Sequence, residues 1–217
     1  MRLKAITAAF STNLKATNTN FSMNLKTPDT ASSTNPRPNN AVKDLTSSPA
    51  SSHLPVEESI LRIAAECRRR GILFGTAESC TGGMIAARVT DVAGISEVFA
   101  GGVVSYANEV KTRLLGVPAE TLARHGAVSA ETARAMAEGA CRSLGCGAAV
   151  SVTGIAGPGG GSPEKPVGTV FEAVGIEGWG VTVRRFEWSG MSREEVRAHA
   201  VRAALSFLAE ELSRSRP

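Results

Sequence analysis

No apolar run in this chain approaches the ~18 residues of a membrane span, which argues against a membrane partner. Its four cysteines, Cys67, Cys80, Cys141 and Cys146, contain no C-x-x-C pair. No His or Cys spacing matches a zinc site, so no metal is expected. At 217 residues the chain is too large to need disulfide staples, and the cysteines read as reduced thiols in a reducing compartment. There is no internal repeat, and no Gly-Lys-Ser/Thr of a P-loop follows any glycine cluster.

Charge is placed unevenly. Of 24 basic and 20 acidic residues, residues 1–54 hold six and two, so the remaining chain carries eighteen of each and is neutral. A protein that grips nucleic acid through phosphates needs a basic patch, and a neutral body gives no support for such a partner. Residues 1–54 are rich in Ser, Thr, Asn and Pro, without a periodic apolar face. Such a segment cannot bury enough surface to offset its ordering entropy, and it reads as a disordered tail, dispensable for activity. Its first 28 residues hold no acid, which resembles an organellar transit peptide, though without a clear Arg-rich stripe. The expected location is the cytoplasm, or an organelle stroma or matrix if the tail is a targeting segment.

What is present is one domain of ordinary size over residues 55–213. Val56, Ile60, Ile63, Ala64 and Cys67 recur at helical spacing before a stop at Gly71. Residues 72–77 read as a short buried strand, 82–92 as a helix and 98–106 as a strand. Asn108 is placed to cap a short helix ending at Gly116, and Ser129 to cap one running to about Leu144. Residues 148–152 form a strand, 154–166 a Gly/Pro loop, and 167–174 with 181–188 paired strands around Glu177-Gly178. Ser192 with Glu195 makes a capping box for the last helix. Strands alternating with helices predict an α/β domain with helices on both faces of a mixed, mostly parallel sheet.

Three segments could carry chemistry. Ala77-Glu78-Ser79-Cys80-Thr81-Gly82-Gly83 lies between a strand and a helix, where α/β sheets present ligands. The helix start offers backbone N–H groups to an oxyanion or phosphate. The ordinary reading is a capped helix start, with Ser79 or Thr81 as cap. In the second, Tyr106 ends a strand and Lys111 lies in the first turn of a helix, where the dipole disfavours a cation. A buried lysine has a lowered pKa and can serve as base toward a serine; a solvated surface lysine is the alternative. The third, residues 153–161, is glycine-rich and followed by Pro163 and Pro166 instead of a helix, so it is either a phosphate cradle or a mobile connection. His125 reads as a structural turn residue more readily than as a triad member, and Cys80 stands beside Ser79 as a rival nucleophile.

Together these segments resemble the CinA carboxy-terminal domain family. The matching text is AESCTGG at 77–83, GGVVSYANEVK at 101–111, LLGV at 114–117, HGAVS at 125–129 and SVTGIAGPGGGSPEKPVGTV at 151–170, with Ser189-Gly190 and a basic helix after them. The resemblance implies a three-layer α/β/α domain that converts nicotinamide mononucleotide and water to nicotinate mononucleotide and ammonia, without a cofactor. It makes Ser79 the nucleophile, Lys111 its base and Tyr106 an assistant. Backbone N–H groups of Cys80, Thr81, Gly82 and Gly83 would hold the oxyanion, with Asn108 also placed at the substrate. Gly157, Gly159, Gly160 and Lys165 are candidates for the ribose phosphate. Many relatives carry an extra amino-terminal domain resembling molybdopterin-binding proteins, which residues 1–54 are too short and polar to form. A catalytically silent nucleotide-binding module and an amidohydrolase of another small carboxamide are the alternatives. The partner expected is a small nucleotide, and a homo-oligomer is left open.

Overall fold

Val56–Arg70 form the first helix, α1, because the apolar positions repeat on one stripe. Ile60, Ile63, Ala64 and Cys67 turn inward, while Glu57 and Glu58 occupy the first turn and Arg68, Arg69 and Arg70 the last. Each charge sits where the helix dipole favours it, and left-handed Gly71 (φ 65°) ends the helix. This element opens the domain in a computed structural model that describes residues 54–215 and the backbone of Val42–Asp44. Phe74–Glu78 (β2) is buried along its whole length, as a strand covered on both faces must be. There follow Met84–Thr90 (α2), the 3-10 turn Ile95–Glu97, Phe99–Val104 (β3), Asn108–Leu115 (α3), Ala119–His125 (α4), Ala130–Leu144 (α5), Ala148–Gly154 (β4), Thr169–Ile176 (β5), Gly180–Glu187 (β6) and Arg193–Arg214 (α6).

The sheet is mixed, as its pattern predicts. β2 lies parallel between β3 and β4, while β4, β5 and β6 run antiparallel in turn. Side chains alternate across it. Ala148, Val150 and Val152 join Ile63, Ile85 and Leu208 in the core beneath α1, α2 and α6. Ala149 packs with Leu115, Met136 and Ala140 under α3 and α5. Three residues of the stretch expected to be a tail, Val42–Asp44 (β1), run parallel to β6 at the sheet edge. The rest of that stretch, with the expectations of disorder, dispensability and targeting, lies outside the described residues. Among the described residues no helix is long and apolar enough to cross a membrane.

Several local expectations need correction. The strand after α1 begins at Phe74 instead of Ile72. The next helix begins at Met84, because Gly82 and Gly83 take positive φ, 65° and 99°, outside the helical region. Asn108 is the first residue of α3 and not its cap; Ala107 holds the cap position without a side-chain bond. Helix α4 is additional. The Ser129 cap, through Thr132 N, and the Ser192–Glu195 box are both formed.

One close crossing fixes the layer that carries α3. A side chain on Gly139 of α5 would collide with the Leu115 carbonyl at the end of α3. Gly139→Ala is therefore expected to destabilise the domain by about 1–3 kcal/mol, the usual penalty of overpacking. A melting curve should show a drop of roughly 2–4 °C for each of those kcal/mol; an unchanged melting temperature would mean that the two helices separate freely.

Candidate active site

The turn after β2 is held from several sides. Ser79 N donates to Val152 O of β4 at 3.0 Å, and Ser105 N donates to Glu78 O at 2.7 Å. The Glu78 side chain, fully buried, accepts from the amides of Gly83 (2.9 Å), Ile85 (3.1 Å) and Ala86 (2.9 Å). A carboxylate at a helix N-terminus satisfies donors that the helix cannot pair internally. Glu78 thus does the capping that Ser79 or Thr81 was read as doing; no Ser or Thr side chain caps α2.

Lys111 is brought to the same place by α3, whose start follows directly from β3. It is 1% exposed. Its Nζ lies 3.1 Å from Ser79 Oγ and donates to the carbonyls of Ser105 at 2.7 Å and Tyr106 at 3.1 Å. No carboxylate pairs with it among the described residues, and burial pushes its ammonium below the usual lysine range. A neutral amine there can donate two N–H bonds to the carbonyls and turn its lone pair to the serine hydroxyl. Cys80, the rival nucleophile, is 6% exposed, and burial drives its thiol up to about 12. At neutral pH it is a protonated thiol without a base, whereas Ser79 has one.

The other expected residues scatter around this pair. Tyr106 reaches Lys111 through its main-chain carbonyl. The residue is 63% exposed, and its hydroxyl meets Arg193 at 3.3 Å. Thr81 is buried and Gly82 exposed. The Gly82 amide donates to Ser79 O at 3.1 Å, and that of Gly83 is held by Glu78. The amides of Cys80 and Thr81 are left without a main-chain acceptor among the described residues. Asn108 is exposed at the start of α3. Gly157 is buried, while Gly159 and Gly160 are exposed beyond it. Lys165 donates to the His125 carbonyl at 2.9 Å and so closes the end of α4. His125 faces Glu131, at 3.6 Å, and makes no hydrogen bond to Ser79.

Two arginines of α6 were not foreseen. Arg193 donates to Gly157 O at 2.8 Å, besides meeting Tyr106, and so ties the glycine loop to the mouth of the site. Arg197 forks across the nucleophile turn, with Nε on Cys80 O and a terminal nitrogen on Thr81 O, both at 3.0 Å. Arg193 is the first residue of its helix, where the dipole disfavours a cation. That is the same anomaly that singles out Lys111, and it was available in the sequence.

Residues 56–212 match the family described as CinA C-terminal domain. A CinA-like protein of Citrifermentans bemidjiense is 55% identical over 152 residues, covering 70% of this chain and 36% of that protein. The crystal structure of competence/damage inducible protein CihA from Agrobacterium tumefaciens is 44% identical with a TM-score of 0.70, over 75% of this chain and 99% of that one. A CinA superfamily structure from Klebsiella pneumoniae is 37% identical with a TM-score of 0.69, over 74% and 99%. The chain spans about a third of the length of the curated relatives it matches.

Proposed function

The chain belongs to the CinA C-terminal domain family, and from that premise we propose that it hydrolyses the carboxamide of nicotinamide mononucleotide to nicotinate mononucleotide and ammonia. The observation that carries the reading is the buried lysine amine 3.1 Å from a serine hydroxyl. Ser79 Oγ attacks the carboxamide carbon while neutral Lys111 takes its proton. The oxyanion settles against the free amides of Cys80 and Thr81. The proton held by Lys111 then passes to the leaving nitrogen, which departs as ammonia. Water, activated by the same amine, cleaves the nicotinoyl ester and restores Ser79.

Arg197 supports the middle step. Its guanidinium anchors the Cys80 carbonyl, and the planar peptide unit then fixes the Thr81 N–H on the opposite side. Tyr106, through its carbonyl, keeps Lys111 in place, and its exposed ring forms a wall for an aromatic base. The ribose phosphate is assigned to the Gly157–Gly160 loop with Arg193, a charge already aimed at that loop; Lys165 is held by a backbone carbonyl.

The direct test is the appearance of ammonia and nicotinate mononucleotide when purified full chain meets nicotinamide mononucleotide. Turnover of other carboxamides in its place would keep the chemistry and change the substrate; no turnover with any would leave a binding module. Arg193→Gln should raise KM about tenfold, as loss of a charge-assisted bond does, and leave kcat nearly unchanged, because a phosphate contact serves ground and transition states alike. Lys165→Gln should raise KM less. The reverse ranking would move the phosphate to Lys165.

A further inference from the structure

Far from Ser79, the fold brings two nucleophilic side chains together. Helix α5 ends in a left-handed Gly145, φ 61°, and the Cys146 amide donates back to the Cys141 carbonyl at 3.1 Å. This is the closure of a Schellman C-cap, which sets the residues at its two ends against each other. Bond lengths alone then keep the two α-carbons within roughly 7 Å, the outer span that a disulfide can bridge. Each thiol shifts the other's ionisation, Cys141 upward and Cys146 downward. Both cysteines are free, and both line a cavity of about 640 Å³ bordered by Gly145, Gly147, Gly175 and Gly178. Cys141 is half-buried. Cys146 is itself 6% exposed but meets the cavity wall, whereas Cys67 and Cys80 sit in the α1/α2/α6 core.

We propose that Cys141 and Cys146 form a modification site, a dithiol that a peroxide entering this cavity oxidises reversibly to a disulfide. The Cys146 sulfur, which its Cys141 neighbour holds below the usual cysteine range and so is the readier thiolate, attacks one peroxide oxygen, breaking the O–O bond and becoming a sulfenic acid as water leaves. The Cys141 sulfur then displaces the sulfenic hydroxyl, which leaves with the second thiol proton as another water. Two thiols lose two electrons and two protons, and one peroxide becomes two waters. A small dithiol reductant reverses the change by thiol–disulfide exchange. Cys146 precedes the first residue of β4, whereas the Ser79 turn meets that strand near its far end. The proposal therefore stands apart from the hydrolytic reading.

The test uses the full chain treated with hydrogen peroxide, quenched and denatured. Its four thiols should fall to two, and return to four after dithiothreitol. Cleavage after Arg142 separates the two cysteines, so a non-reducing peptide map should show residues 135–142 joined to residues 143–184, a pair absent after reduction. Cys146→Ser should keep its three thiols under the same treatment. Retention of all four thiols in the native chain, loss of thiols without the joined peptides, or a disulfide involving Cys67 or Cys80 would overturn the proposal.

Discussion

Ser79→Ala is expected to lower turnover by about 10⁴–10⁶-fold, the range found when a nucleophile acting with its base is removed, and to leave the fold intact. Lys111→Met should fall nearly as far. It keeps the buried aliphatic stem and deletes the amine that takes the proton, leaving the Ser105 and Tyr106 carbonyls without that donor. The double variant should be little worse than either single one, since the two groups act as a unit. In the native chain the rate should rise with pH through the lowered pKa of Lys111 and level off above it, because only the neutral amine accepts a proton. Stability should move the same way. The unfolded lysine holds its proton up to about 10.4, so between the folded and unfolded values the folded chain binds fewer protons and gains stability as pH rises. Initial rates of ammonia release and melting curves from neutral pH upward check both. Full activity in Ser79→Ala, with loss in Cys80→Ser, would make the thiol the nucleophile.

Arg197→Met should lower kcat by about 10²–10³-fold, the effect of losing one oxyanion donor, although Arg197 never touches substrate. It acts by holding two carbonyls of the nucleophile turn, each at 3.0 Å. KM should change little, because on the proposed reading the charge that meets the phosphate is Arg193. Arg197→Lys should recover only part of the loss, since an ammonium cannot reproduce a planar fork on two acceptors. A rise in KM equal to the fall in kcat would show that Arg197 binds substrate instead.

The candidate pair of Ser79 and Lys111 was legible through the family resemblance; the residues alone offered only a hint, a cation in the first turn of its helix, and left a solvated lysine and Cys80 open. Arg193 carries the same hint, but Ser192 and Glu195 already account for the start of α6, and Arg197 stands beyond the first turn, where no such signal exists. Helix α4 was missed for a plainer cause. None of Ala119–His125 is buried, so it has no apolar stripe to read. The part played by Glu78 could not be read at all, because it depends on three amides of α2 folding back over the end of β2.

That buried carboxylate also decides which way round a guest can sit. A glycine-bearing turn entering a helix usually invites a phosphate, but here the chain has seated an anion of its own. Inorganic phosphate or sulfate should gain no foothold at α2 and should compete only through the arginine side. On the proposed reading, a nucleotide must then enter base first, its scissile amide leading and its phosphate trailing over the Gly157 loop. The polarity of the proposed ligand would then follow from a residue that never meets it.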